Sequence, residues 1–455
     1  MVDLDDIIKA YDVRGTYPDQ LDATLARSVG AAFVQVLNIR KADGGPGALV
    51  VGWDMRPSGP ELVDAFADGV MSQGCDVIKI GLASTDGLYF AAGHLNLHGA
   101  MFTASHNPAQ YNGIKLCRPG AAPVGQDSGL AEIKALIRTG VPAYNGPRGS
   151  VTERDMLQAY SSHLRSLVDI ESIRPLSVVI DAGNGMGGHT VPVVLKDLPL
   201  KIIPMYFELD GTFPNHEANP IDPENLRDLQ ASVMRHGADL GLAFDGDADR
   251  CFVVDEQGSI VDPSTLTALI AVRELAKTPG AAIIHNLITS RAVPEIVTEH
   301  GGRPVRTRVG HSFIKEQMAT SGAVFGGEHS GHFYFKDFWR ADSGMLAALH
   351  TLSALGHTPV GTTLSSMLHP YTRYVMSGEI NSRVDDVQSK ITQVRAAFAD
   401  RTTIDELDGV TFSGDDWWFN LRPSNTEPLL RLNVEAATTV DVKRIVEEVL
   451  AIVRA

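Results

Sequence analysis

Asp245, Asp247 and Asp249 stand at alternate positions in LGLAFDGDADRCFVVD, between two apolar, strand-like runs. Three carboxylates this close repel one another unless a cation or an arginine compensates them. An all-oxygen donor set suits a hard cation such as Mg2+, and no cysteine or histidine joins it to suggest zinc. A calcium EF-hand fails because Arg250 falls at the loop position that requires glycine, and because the flanks read as strands. Arg250 would sit beside the cation, able to grip an anion that the cation also touches. The plain alternative is a solvated acidic turn between strands.

A second cluster is Thr103-Ala104-Ser105-His106-Asn107-Pro108. A serine hydrolase would need a G-x-S-x-G elbow, which is missing here. His106 directly follows Ser105, and adjacent side chains usually diverge, so it is a poor base for that hydroxyl. Pro108 and the following Tyr-Asn-Gly argue for a loop rather than a capped helix. In a chain with a hard-cation triplet, such a serine can carry a phosphoryl group. Further on, RPSNTEPLLRLNVE puts Arg422, Ser424, Asn425, Thr426 and Arg431 around one loop. Hydroxyls, an amide, backbone N–H groups and two guanidinium forks can wrap a dianionic phosphate. An ordinary turn leading into a strand is the alternative.

In FGGEHSGHFYF, Gly326, Gly327 and Gly331 bracket Glu328, Ser330 and His332. Glycines let a backbone approach a ligand closely, and a carboxylate with a hydroxyl can read vicinal sugar hydroxyls. A glycine-bracketed hairpin turn explains the pattern equally well. DAGNGMGG matches the dinucleotide pattern through Gly183, Gly185 and Gly188, with Glu208 downstream. Close packing in any strand–turn–helix favours the same glycines, so this is weak ground for a nucleotide cofactor.

These loops need a scaffold. Segments beginning at Ala48, Leu176 and Ala281 each run from a β-branched stretch through a polar or Gly-rich turn and a helical stretch to a second strand-like run. That grammar predicts three similar α/β domains with largely buried sheets. Linkers are expected at 139–150, at 255–264 with Ser264 capping the next helix, and around 369–380. Beyond lies a smaller α+β domain, with a helix near Asp385–Phe398, two strand regions and a capped helix over Thr439–Val449. The expected boundaries are 1–147, 151–257, 258–368 and 370–455.

With 44% hydrophobic residues the chain can build a sizeable core. A net charge of −16 argues against general binding to nucleic acid or anionic membranes. The three cysteines, Cys75, Cys117 and Cys251, form no CxxC pair, which suits a reducing compartment. The first residues have no signal-peptide pattern, and no apolar run is long enough to span a bilayer. A cytoplasmic protein is expected.

TASHNPAQYNGIKL, DGDADR, GGEHSGH and RPSNTEPLLR occur in order, one per expected domain, with YDVRG near the start. Together they resemble the α-D-phosphohexomutase superfamily, most closely its bacterial phosphomannomutase/phosphoglucomutase branch. The resemblance spans the whole chain. It implies three α/β domains and a C-terminal helix-on-sheet domain around a central cleft. It also implies interconversion of hexose 1-phosphate and hexose 6-phosphate, with mannose and glucose as the sugars, through a hexose 1,6-bisphosphate. Ser105 would carry the phosphoryl group, flanked by His106 and Lys115. Asp245, Asp247 and Asp249 would hold Mg2+ with a phosphoserine oxygen.

By the same resemblance Glu328 and Ser330 would bind sugar hydroxyls, with His332 nearby. Arg422, Ser424, Asn425 and Thr426 would hold the phosphate that is not reacting. Tyr11, Arg14, Gly310 and His311 match cleft positions. Lys115, His332 and Arg14 are the candidates for proton transfer; a lysine could serve as a base only with a depressed pKa. Relatives often place a lysine in the loop NLITSRAV, where this chain has Ile288, with Arg291 nearby. The expected partners are small-molecule phosphosugars, with no nucleic acid, no membrane and no particular oligomeric state implied. The rival readings are a phosphoglucosamine mutase, a Mg-dependent sugar phosphatase and a non-catalytic phosphosugar-binding protein.

Overall fold

The structure is a computed structural model that describes residues 3–40, 47–423 and 429–455, with only the backbone at His311 and Ser312. Contacts divide the chain into two compact units. One holds Met1–Val261 and Ser330–Met367, the other Asp262–His329 and Leu368–Ala455. The segment expected as a third α/β domain thus contributes to both.

In the first unit, Ala48–Trp53 runs parallel to Asp76–Leu82 and to His98–Phe102. Its residues are apolar almost without interruption, as a strand covered on both faces requires. Tyr111–Arg118 then returns antiparallel to His98–Phe102, setting Lys115 opposite Met101. The connection between these two strands is the Ser105 loop. Val13–Thr16 closes this edge by pairing with Tyr111–Ile114. Helices Ala23–Val36 and Gly59–Ser72 bury apolar faces in the core shared with this sheet.

A second sheet in this unit centres on Leu176–Asp181, parallel to Leu200–Met205 and to Leu240–Phe244. Leu240–Phe244 continues into the antiparallel strand Cys251–Asp255, with Phe244 facing Cys251. Residues 245–250, the acidic triplet and its arginine, form the turn between them. Every residue of both strands is buried. The triplet therefore sits at the end of a rigid hairpin, not on a solvated bend. In the same unit the helix Gly344–Gly356 is buried all round, which explains its lack of an amphipathic pattern.

In the second unit, Ala282–Asn286 pairs in parallel with Arg303–Thr307 and Phe325–Gly327. The helix Pro263–Lys277 starts two residues earlier than a cap at Ser264 implies. Asp262 is the cap, accepting from the Ser264 N–H, because Pro263 fits the first helical position, where no N–H is needed. C-terminal to it, the antiparallel sheet runs in the order Val375–Arg383, Leu429–Ala436, Trp417–Pro423, Val410–Ser413 and Thr403–Asp405. Helices Val387–Phe398 and Thr439–Val453 pack on this sheet. Residues 375–380, read from sequence as linker, already belong to its strand Val375–Arg383.

Candidate functional site

Ser105 adopts a left-handed backbone conformation with φ of 50°, unusual for a residue with a side chain. The buried guanidinium of Arg56 holds the loop there. It donates to the carbonyl oxygens of Ser105 (2.9 Å), Asn107 (2.6 Å), Pro108 (2.9 Å) and Tyr111 (2.8 Å). Asp54 compensates its charge, accepting from Arg56 Nε at 3.3 Å. The Ser105 N–H is taken by Thr103 Oγ1 at 2.8 Å. Arg14 adds a side-chain bond to Asn107 Oδ1 at 2.6 Å and pairs with Asp12. Tyr11, on the same N-terminal segment, is half-buried.

The Ser105 loop lies directly against the acidic turn. A Cβ on Gly246 would come within 2.5 Å of the Ser105 carbonyl oxygen, and one on Gly185 within 2.7 Å of the Gly246 carbonyl oxygen. Gly185 of DAGNGMGG thus serves loop-on-loop packing. Across this contact Ser105 Oγ donates to Asp245 Oδ2 at 2.8 Å and accepts from Arg250 Nη2 at 3.0 Å. Arg250 also binds Asp245 Oδ2 through Nε at 2.9 Å and contacts His106 Nδ1.

Diverging side chains at adjacent positions would make His106 a poor base for Ser105, and the structure corrects that expectation. Ser105 Oγ and His106 Nδ1 are 3.3 Å apart, because the positive φ at Ser105 removes the alternation that extended backbone would impose. The Arg250 guanidinium, burial and Arg14 hold the His106 ring well below the ordinary histidine pKa.

All three aspartates are buried, and one carboxylate oxygen of each lies within 4.8 Å of the others. Lys115 Nζ donates to Asp247 Oδ2 and Asp249 Oδ2, each at 2.8 Å. Burial pushes Asp245 well above the usual carboxylate range, with Asp249 and Asp247 adding to it against the pull of Arg250. Burial opposes ionisation of Asp247 too, but Lys115, the Thr85 hydroxyl and Arg250 outweigh it and hold that carboxyl low. Burial pulls the Lys115 pKa down, but facing Asp247 and Asp249 carries it well above the ordinary lysine range. A depressed pKa is the condition for a lysine base, and Lys115 does not meet it, because the groups nearest it are anions.

Asp247 Oδ1 and Asp249 Oδ1 are buried without a hydrogen-bond partner among the described residues. Orphaned carboxylate oxygens are costly in a protein interior. An oxygen-only cluster with two such atoms fits a hard cation. His332 borders the same cluster: Nε2 lies 3.6 Å from Asp249 Oδ1, and Nδ1 is 3.0 Å from Ser330 Oγ. Asp342 makes a second possible ligand group with Asp249 and His332.

In the second unit, Glu328 is buried and its Oε1 accepts from Asn286 Nδ2 and from the Gly310 N–H, each at 3.2 Å. Arg422 and Arg431 are directly opposed across neighbouring strands, and Glu379 lies 3.5 Å and 3.4 Å from their respective guanidinium groups. Ser424, Asn425 and Thr426 lie outside the described residues, as does the side chain of His311. Ile288 packs in an apolar cluster with Leu287 and Trp418. Arg291 stacks 4.2 Å over the Tyr374 ring, and its backbone N–H donates to Glu435 Oε1 at 3.2 Å. The position expected to hold a lysine is thus core, and the nearby arginine is committed elsewhere.

Sequence reasoning passed over Arg56, Thr85, Asp342 and Glu379. One signal was available: Asp54 and Arg56 follow an apolar buried strand at once, where charge must be paired.

Four family models cover most of the chain. They are Phosphoglucomutase/phosphomannomutase, alpha/beta/alpha domain I (residues 5–142), domain II (158–258) and domain III (262–374), and the C-terminal domain (379–452). The chain belongs to the phosphoglucomutase/phosphomannomutase family. "Phosphohexose mutases" of Xanthomonas campestris pv. campestris is 41% identical over 430 residues, covering 94% of each chain. "Phosphomannomutase" of Salmonella typhimurium is 40% identical over 439 residues, again covering 94% of each. A crystal structure of a phosphoglucomutase/phosphomannomutase family protein from Burkholderia thailandensis superposes with a TM-score of 0.87 at 34% identity, covering 100% of this chain and 98% of that one. The family's four-domain α/β architecture is the one expected from sequence. As a phosphoglucomutase/phosphomannomutase family member the chain is an intramolecular phosphotransferase, a hexose phosphate mutase. Among the described residues no helix is long and apolar enough to cross a membrane.

Proposed function

We propose that the enzyme interconverts hexose 1-phosphate and hexose 6-phosphate, of mannose and of glucose, through a phosphoserine at Ser105 and a hexose 1,6-bisphosphate. The observation that carries this reading is the 2.8 Å bond from Ser105 Oγ to Asp245 Oδ2, which sets the serine hydroxyl against a cluster of buried carboxylates. With a phosphoryl group on Oγ, a hydroxyl of the sugar monophosphate attacks phosphorus and the P–Oγ bond breaks. The hydroxyl proton leaves through a base, and a proton returns to Oγ. The bisphosphate reverses, and the other phosphoryl group passes back to Ser105 by the same exchange.

Asp245, Asp247 and Asp249, with an oxygen of phosphoserine 105, would hold Mg2+. When bound, Mg2+ supplies positive charge to the transferring phosphoryl oxygens. Arg250 and Lys115 hold the loops in register and add positive charge on either side. His106 and His332 offer ring nitrogens for proton movement near the carrier. Glu328 reads sugar hydroxyls, and Arg422 and Arg431 grip the phosphate that is not reacting. The three cysteines are free and buried, which suits a reducing compartment, and we assign the enzyme to the cytoplasm.

The test is a coupled assay with mannose, glucose and glucosamine phosphates, primed by hexose 1,6-bisphosphate, with mass spectrometry of the Ser105 peptide. Turnover of mannose and glucose phosphates with phosphate on Ser105 is expected. Turnover confined to glucosamine phosphate would reassign the substrate. Release of inorganic phosphate without isomer formation would make the protein a phosphatase.

A further inference from the structure

Thr85 reaches the acidic cluster from a helix that contributes none of the residues discussed so far as carriers, ligands or grips. That helix, Thr85–Leu95, is capped by Ser84, whose Oγ accepts from the Gly87 N–H at 3.2 Å. Donors in a helix's first turn have no acceptor within the helix. The Thr85 N–H finds one in the Asp247 backbone carbonyl, at 3.0 Å. The Thr85 hydroxyl then donates to Asp247 Oδ2 at 2.5 Å. One residue thus grips both the main chain and the side chain of Asp247.

The two oxygens of Asp247 are left in different states. Oδ2 accepts from Thr85 and from Lys115, whereas Oδ1 is buried with no hydrogen-bond partner among the described residues. A carboxylate tied at one oxygen from two sides cannot turn freely about its Cβ–Cγ bond. The grip therefore selects which oxygen remains for a cation.

Thr85 is itself held firmly. Its neighbour Asp86 accepts from Ser84 Oγ at 2.5 Å, from the Tyr160 hydroxyl at 2.8 Å and from Ser343 Oγ at 2.6 Å. Tyr160 lies on the helix Leu157–Leu167, and Ser343 caps the buried helix Gly344–Gly356. Thr85, Asp86, Ser343 and Asp247 have no exposed surface at all. The first turn of the Thr85 helix is thereby fixed by two other segments of the same unit, and Asp247 inherits that rigidity.

We propose that Thr85 is a positioning residue for cation binding: its hydroxyl fixes Asp247 Oδ2 and leaves Oδ1 to the ion. This rests on the assignment of Mg2+ to the aspartate cluster. Outer-shell groups that orient a ligand typically matter by about 10- to 100-fold in metal affinity.

The experiment titrates Mg2+ calorimetrically into the full-length wild type, Thr85→Ser and Thr85→Val. Valine matches threonine in shape and lacks only the hydroxyl. The expected result is Mg2+ binding weakened about 10- to 100-fold in Thr85→Val and close to wild type in Thr85→Ser. The Mg2+ concentration for half-maximal activity should rise in parallel, with kcat at saturating Mg2+ largely retained. Metal-free melting temperatures report whether the fold survives, and Thr85→Ala takes the place of Thr85→Val if the latter does not fold. Wild-type affinity in Thr85→Val, or equal losses in the serine and valine variants, would overturn the proposal alone. Absence of Mg2+ binding in the wild type would overturn the cation assignment and this proposal together.

Discussion

The Arg56 guanidinium lies 2.9 Å from the carbonyl oxygen of Ser105, and both residues are buried. Three further carbonyls of the same loop share that guanidinium. A lysine ammonium is a point donor that cannot serve four acceptors spread over seven residues. Arg56→Lys should therefore loosen the loop while keeping the charge opposite Asp54. We expect kcat to fall by about 10²-fold, since misplacing a reacting group by an ångström costs about that much. KM should change little. Circular dichroism would confirm a folded protein, and an unaltered kcat would show that the loop holds its shape without Arg56.

Ser105→Ala removes the hydroxyl that Asp245 and Arg250 share. These two remain bonded to each other through Arg250 Nε, so the buried pair keeps its compensation and the melting temperature should hold. Turnover should drop by on the order of 10³-fold or more, as when a nucleophile is deleted, and the peptide should carry no phosphate. A variant turning over near the wild-type rate would remove Ser105 as the carrier.

The aspartate cluster and Ser105 were legible in the sequence because each is a dense local pattern whose chemistry does not depend on the fold. What depends on distant pairing was not. Lys115 meets Asp247 and Asp249 across more than a hundred residues, and its raised pKa follows chiefly from that meeting. The short distance from Ser105 to His106 depends on a single backbone angle that residue type does not dictate. Asp262 rather than Ser264 caps its helix through a local rule, proline at the first position, that was readable and passed over. The strand Val375–Arg383 was masked by its mixed polar pattern, since it is only partly buried.

His216 and Asp181 should make the enzyme's stability depend on pH. His216 Nε2 lies 3.0 Å from Asp181 Oδ2, and Nδ1 lies 2.8 Å from the Glu217 carbonyl oxygen, so both ring nitrogens face acceptors. Burial opposes the ring's charge, but Asp181 and the Glu217 carbonyl outweigh it and raise the pKa above the ordinary 6.5. Folding then favours the protonated ring. Its stabilisation is complete below the unfolded pKa of about 6.5 and is lost as pH rises through the higher folded value. The melting temperature of His216→Gln should fall below wild type at pH 6, with the gap closing toward pH 9. A gap that stays constant with pH would exclude the charged pair.

Arg422 and Arg431 face each other across neighbouring strands with Glu379 beside both. Two adjacent guanidinium groups and one carboxylate leave a surplus positive charge, and each Nε is buried without a hydrogen-bond partner among the described residues. A dianionic phosphate would complete that balance, and Arg binds it through two parallel N–H bonds. Arg422→Ala takes away one fork and leaves Glu379 to pair with Arg431 alone. KM for hexose phosphate should rise by about tenfold, in line with losing roughly 1.5 kcal/mol from a charge-assisted hydrogen bond. Phosphorylation of Ser105 by a bisphosphate primer should still be detected by mass spectrometry at saturating primer, because Arg422 takes no part in holding the carrier. An unchanged KM would place the phosphate grip elsewhere. Loss of Ser105 phosphorylation at every primer concentration would tie Arg422 to the transfer itself.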